Sequence, residues 1–367
     1  MSLRYKIAIS LIKGIGPVLA KNLIAYLGDV DAIFKESQSN LAKIPDIGPV
    51  LSKQISTQHV LARADKEINF IEKNNIQSFF YTDKTYPYRL KECIDAPIIL
   101  YAKGNVEFNS TRYIGVVGTR GATEYGKENC RKLIQDLATI APDVTIISGL
   151  AYGIDICAHK TALDSGLPTI AAIGHGLDRI YPAVHRSTAV RMLEKGGLVT
   201  EYLTETNPDK QNFVQRNRLI AGMCDAVVVI ESGAKGGSLI TADMAQSYNR
   251  DVFAFPGRVG DSFSAGCNAL IKNNKAGLIE SSKDLVNAMC WEVNTNSNVP
   301  IQHSLFLDLT EEQQNIVTLL RKEEHISLNQ LAIALGLPVS KTSSMLLELE
   351  FSGVVKCLPG NIYKLRA

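Results

Sequence analysis

The chain has 367 residues, of which 46% are apolar and 21% charged, with a formal net charge of +2. That length suits two or three domains with sizeable cores. The near-neutral balance excludes a histone-like polycation, so any contact with nucleic acid must come from local clustering of cations. The seven cysteines (93, 130, 157, 224, 267, 290 and 357) form no C-x-x-C pair, which argues against a zinc ribbon or a secreted disulfide framework. Free thiols in a reducing cytoplasm are expected. The N-terminal stretch MSLRYKIAISLIKGIGPVLAKNL is broken by Arg4, Lys6 and Lys13, and neither a signal peptide nor a membrane span is expected anywhere.

Residues 1–62 carry a loose repeat: LIKGIGPVLAKNLI at 11–24 resembles LAKIPDIGPVLSKQI at 41–55. Each copy reads as helix, tight turn, helix, the pattern of a helix-hairpin-helix (SAM-like) unit. Gly14 and Gly16 permit the turn and leave backbone N–H groups uncovered at a helix start, which suits a phosphate oxygen. Asp46 opposes that role in the second copy, so DNA contact and a purely structural unit both stay open. Residues 60–110 read as a link to the main body, with a helix and two strand candidates, IQSFFYT and DAPIILYAKGN.

From 112 to 290 short β-branched runs alternate with amphipathic stretches. The runs are YIGVVG, VTIISG, PTIAAIG, GLVTEY, AVVVIES and DVFAFPG. This alternation predicts an α/β domain, an open parallel sheet with helices on both faces. Most runs end in Gly or Ser, at Gly118, Ser148 with Gly149, Gly174, Ser232 with Gly233, and Gly257. A row of small, backbone-exposing turns is therefore expected along the carboxyl edge, where such sheets bind ligands.

Three stretches on that edge carry candidate chemistry. GVVGTRGATEYGK puts Arg120 at a loop tip after Gly118 and Thr119, and a guanidinium can grip phosphate; a salt bridge to Glu124 is the alternative. It is not G-x-G-x-x-G, and no G-x-x-x-x-G-K-[ST] exists in the chain, so no dinucleotide or ATP cofactor is expected. ESGAKGGSLITADMA supplies an anion nest from Gly236, Gly237 and Ser238, with Lys235 inside it. It resembles the P-G-G-x-G-T-x-x-E signature of nucleotide phosphoribohydrolases, but Leu239 and Ile240 replace the second Gly-Thr, and Asp243 falls at the acid. A nucleotide-binding or nucleoside-monophosphate-cleaving enzyme is thus the alternative reading. NPDKQNFVQRNRLIAG places Lys210 and Phe213 ahead of a buried helix and Arg216, Asn217 and Arg218 in its first turns. Cations there oppose the helix dipole unless an anion shares the site, and an aromatic ring can stack a base. The bland alternative is a core phenylalanine with surface arginines.

Asp155 and His159 in SGLAYGIDICAH could share a helical face, but no third ligand has sensible spacing. Structural hydrogen bonding is expected there, with no metal and no catalytic residue.

Residues 293–307 read as a linker, and 308–367 as three helices with a hairpin turning at Pro359-Gly360-Asn361, a winged-helix pattern. Glu348 and Glu350 on the third helix make it a weak duplex reader. Protein docking and degenerate DNA contact both fit.

In order, GVVGTRGATEYG, SGLAYGIDICAHKTAL, TIAAIGHGLDRIYPAVH, FVQRNRLIAG, ESGAKGGSLITA, DVFAFPG and GCNALI resemble the DNA-processing protein A (DprA, or Smf) family, over about 112–275. YPYRLKECIDAPIILYAKGN is similar to that family's lead-in. The resemblance implies a Rossmann-like, doubly wound domain over 63–292 that binds single-stranded DNA without cutting it. It also implies a homodimer that loads RecA recombinase onto incoming DNA in natural transformation. By motif, Arg120, Lys210, Phe213, Arg216, Asn217 and Arg218 would contact DNA, with the turns around Gly149, Gly174 and Gly237 lining the groove. Dimerisation would use the stretch near GCNALIKNNKAG.

Overall fold

The computed structural model describes residues 2–291, 309–323, 325–358 and 360–365. The expected linker at 293–307 and Pro359 of the hairpin turn lie outside the described residues.

The N-terminal repeat folds as two helical hairpins. Helices α1 (Leu3–Leu11) and α2 (Pro17–Leu27) form the first. After the short α3 (Val30–Ile33), α4 (Gln38–Leu41) and α5 (Pro49–Ser56) form the second. α2 and α5 both begin with proline behind a glycine cap, where the missing N–H costs no helical bond. Gly14 has φ +84°, and a Cβ there would sit 2.9 Å from Leu51 of the second hairpin, so glycine is needed for both the turn and the packing. α6 (Leu61–Lys73) lies against α1 and is tied to it by the Arg4–Asp65 ion pair.

The region expected to be a link is part of the main sheet. β1 (Gln77–Phe80) and β2 (Ile99–Gly104) pair antiparallel, and β2 pairs antiparallel with a strand of the α/β domain. One apolar core runs from Ile7, Leu23 and Ile47 of the hairpins into Phe80, Ile99 and Tyr101 of these strands. β-branched and aromatic composition marked the strands; the pairing of β2 with the α/β domain is not local and so was not readable.

After α7 (Tyr88–Lys91), the α/β domain alternates as expected: β3 (Arg112–Val117), α8 (Glu124–Ile140), β4 (Val144–Ser148), α9 (Ile154–Asp164), β5 (Thr169–Ala172), α10 (Arg186–Met192) and β6 (Gly196–Thr200). It continues with α11 (Lys210–Met223), β7 (Ala226–Val229), α12 (Gly237–Ser247), β8 (Asp251–Ala254), α13 (Ala265–Lys272), β9 (Gly277–Leu278) and α14 (Ser282–Ala288). The sheet order is β1-β2-β6-β5-β4-β3-β7-β8-β9, parallel from β6 to β9. The chain moves from β3 through β4 and β5 to β6, then crosses back to β7 on the other side of β3. This reversal makes the sheet doubly wound and puts the switch point at the carboxyl ends of β3 and β7. Strands β3 to β7 are buried almost throughout, as their continuous apolar runs require.

At the opposite edge of the sheet, Arg89 on α7 is 1% exposed and makes a two-pronged ion pair with Asp225. The C-terminal unit comprises α15 (Glu311–Lys322), β10 (Ile326–Ser327), α16 (Leu328–Leu335), α17 (Val339–Phe351), β11 (Val355–Leu358) and β12 (Ile362–Leu365), with sheet order β10-β12-β11. Thr310 with Gln313, and Ser327 with Gln330, form reciprocal capping boxes that fix where α15 and α16 begin. This unit packs on the α7 side of the body, where the rings of Tyr88 and His325 stack 4.4 Å apart.

Candidate nucleic-acid interface

The glycine-ended strands bring their turns together at one edge. Arg120, Gly149, Ala151, Tyr152, Tyr181, Pro182, Phe213 and Arg216 line a narrow cleft of about 40 Å³ there. They come from the loops after β3, β4 and β5 and from α11, so residues nearly a hundred positions apart converge on one place.

Helix geometry decides what the NPDKQNFVQRNR stretch does. Successive residues turn by about 100°, so α11 sorts its cations by face. Lys210 is the first helical residue, not a residue ahead of the helix, and it is exposed. Phe213 stands one turn further on. Arg216 faces the sheet with Leu219, Ile220 and Met223, and is only 3% exposed. Arg218, two positions later, points roughly the opposite way. It pairs with Glu201 and donates to the Asp95 carbonyl, and so is turned out of the cleft. The RNR run thus gives the cleft one arginine, not two. Asn217 donates weakly from Nδ2 to the Gly237 carbonyl, at 3.5 Å, joining α11 to the first turn of α12.

Arg216 is the most unusual group in the site. One of its terminal nitrogens donates to the Ala172 carbonyl at the end of β5. Its Nε is buried with no partner among the described residues. A Cβ on Gly149 would lie 2.0 Å from Nη1, so any side chain there would have to displace the guanidinium. Burial pushes the arginine down to about 10; Asp155 opposes this and the neighbouring charge of Arg120 adds to it. Asp155 is itself buried, and burial raises its carboxyl above the usual carboxylate range. It accepts from the Ala151 N–H at 3.4 Å and forms no ion pair with any described residue. The cleft floor is therefore a desolvated cation without a direct counter-charge, an arrangement that costs stability unless an anion enters.

Phe213 forms the wall. A Cβ on Gly174 would come within 2.9 Å of its Cδ1, so the β5 turn and the ring are in close packing. The Arg120 guanidinium lies 5.7 Å from the Phe213 centroid, within cation–π range. Glu124, the alternative partner for Arg120, is engaged by Lys127 and Arg131. Gly118 packs on Ile154, and the Thr119 N–H donates to the Glu231 carbonyl, fixing the base of the Arg120 loop across the switch point.

Other expected site residues lie nearby but not in the cleft. The Ser148 hydroxyl is buried and donates to the Val116 carbonyl at 2.6 Å. The Ser238 hydroxyl is buried against Ser232. Lys235 is exposed on the turn before α12, where Gly236 caps the helix without a side-chain bond and Gly237 opens it. That turn flanks the cleft and is joined to it through Asn217. Asp243 sits on the outside of α12, ion-paired with Lys275, away from the cleft. His159 is fully buried and bonds Thr169 Oγ1 at 2.8 Å. Burial pushes it down to about 3. Among the described residues no group of three or more His, Cys, Asp or Glu is arranged to hold a metal ion, and no helix is long and apolar enough to cross a membrane.

Sequence reasoning missed Tyr152 and Tyr181. Tyr181 stacks on Phe213 with centroids 5.6 Å apart, and Tyr152 sits edge-on to His185 at 4.9 Å. The available signal was an aromatic residue inside each of two glycine-bearing turns, AYG and GHGLDRIYP.

Residues 77–290 match the family model described as DNA recombination-mediator protein A. The chain belongs to this family. Its members include the Protein Smf of Synechocystis sp., 30% identical over 99% of this chain and 98% of its own length. The DNA processing protein DprA of Streptococcus pneumoniae is 40% identical over 59% of this chain and 75% of its own. The crystal structure of the pneumococcal protein matches with a TM-score of 0.68 at 34% identity, covering 77% of this chain and 97% of that one. A structure of the Helicobacter pylori family member, described for its single-stranded DNA binding mode, matches with a TM-score of 0.53 at 28% identity, covering 59% and 95%. Residues 307–361 match the DprA winged helix domain, and 7–57 a SAM-like helix-hairpin-helix tandem.

Proposed function

We propose that the chain is a non-catalytic single-stranded-DNA-binding protein that loads a RecA-type recombinase onto incoming DNA during natural transformation. It acts in the cytoplasm as a homodimer. The observation that carries the DNA-binding part is Arg216, a buried guanidinium with an unpartnered Nε beside Arg120 and an aromatic wall. A backbone phosphate would supply the missing counter-charge, while Phe213 and its neighbours hold a base. Lys210 and Lys235, both exposed, would add contacts to the strand outside the cleft. The Helicobacter family member binds single-stranded DNA. The recombinase and dimer assignments rest on the family resemblance. The rival reading, a nucleotide-cleaving enzyme, needs an acid at the phosphate turn, and Asp243 faces away from it.

Fluorescence anisotropy with single- and double-stranded oligonucleotides across a salt series tests this reading. Log affinity for the single strand should fall with log salt by about 0.7 per neutralised phosphate. Arg120→Ala should weaken binding to all sequences and make that slope shallower. Equal affinity for duplex, or an unchanged slope in Arg120→Ala, would contradict it.

A further inference from the structure

Resting on the reading of the cleft as a single-strand groove, we infer that Tyr181 is its outer base-stacking platform and that Phe213 acts largely as the ring that backs it. Phe213 is not a free surface in this structure. Tyr181 lies against it, 5.6 Å between centroids and 23° from parallel, and Gly174 crowds its edge. The two rings are already in mutual contact, so a base cannot enter between them without parting them. Tyr181 is 46% exposed and ends the stack on the solvent side. It lines the same cleft as Arg120 and Arg216, so a base on Tyr181 lies next to a phosphate held by the two arginines. Every base has a π-face, so this platform would be tolerant of sequence.

The neighbouring turn repeats the device. Tyr152 is 49% exposed, lines the cleft and is braced edge-on by His185, whose Nδ1 is fixed to the Leu150 carbonyl at 2.8 Å. Two half-exposed rings, each held by a second ring behind it, flank the arginines. The geometry suits successive bases of one strand, with the backbone turned inward to the cations and the bases outward onto the tyrosines.

The test uses the full chain, oligothymidylate, and an abasic oligonucleotide of the same length. Tyr181→Ala should weaken oligothymidylate binding roughly 5- to 160-fold and leave abasic binding close to that of the wild type. Phe213→Ala should add little in the Tyr181→Ala background, because both remove the same platform. Tyr181→Trp should retain affinity, and its emission, measured above that of the single natural tryptophan Trp291, should be quenched by oligothymidylate. Wild-type affinity in Tyr181→Ala, an equal loss on the abasic strand, or unquenched Trp emission with binding intact would overturn the platform. Arg120→Ala run alongside separates the two levels. If it weakens binding while Tyr181→Ala does not, the groove stands and the platform falls. If Arg120→Ala is silent, the groove reading falls and the platform with it.

Discussion

Gly149→Ala isolates the contact on which the cleft floor depends. The added Cβ would lie 2.0 Å from Arg216 Nη1 and 2.6 Å from both Cζ and Nη2. Ordinary contact begins at 3.4 Å, so the guanidinium must retreat by 3.4 − 2.0 = 1.4 Å. A shift of that size breaks the bond to the Ala172 carbonyl. Overpacking of this kind costs about 1–3 kcal/mol. The same displacement withdraws the cation from the cleft, so the affinity for oligothymidylate should fall at least about tenfold, the loss of one charge-assisted hydrogen bond. Urea unfolding and anisotropy on the same preparation give the two numbers. A variant with an unchanged urea midpoint and wild-type affinity would refute the placement of Arg216 behind Gly149.

Arg216→Met should reduce affinity for DNA more than it reduces the thermal midpoint of the free protein, since the cation makes no direct ion pair and gives up one hydrogen bond, to the Ala172 carbonyl. A large drop in midpoint would show that Arg216 is structural. Arg218→Ala should do the reverse. It strands the half-buried Glu201 and should cost about 1–3 kcal/mol, with the salt slope of DNA binding unchanged; a slope shallower by about 0.7 would return Arg218 to the groove. His159, pushed down to about 3 by burial, stays neutral in the fold but takes up a proton near 6.5 once unfolded. Its contribution is therefore complete above 6.5 and is lost as pH falls toward 3, with up to one proton taken up on unfolding. His159→Gln should remove that component from urea midpoints measured between pH 7.5 and 5, and an identical pH dependence would show that His159 is solvated.

Much of the architecture was legible because it is written locally. The glycine-ended apolar runs marked the parallel strands and the edge at which their turns meet. β1 and β2 were visible as strands but not as members of the main sheet, because β2's partner in that sheet, β6, lies about a hundred residues away. Within the site, motif order pointed to Arg120, Phe213 and Arg216. Adjacency in sequence misled for Arg218, since residues two apart on a helix face away from each other. It misled also for Ser148 and Ser238, whose hydroxyls are spent on closing strand and turn. Tyr152 and Tyr181 were hidden because their role depends on which ring stands behind each, a fact of tertiary packing alone.

The central claim is that a buried cation waits for a backbone phosphate at the strand tips. A crystal structure of the full chain with hexathymidylate tests it most directly. A phosphate should lie within hydrogen-bonding distance of Arg216 Nε, with Arg120 closing over it and a base on the neighbouring rings. Density for the oligonucleotide elsewhere, with the cleft filled by the chain's own side chains, would contradict it.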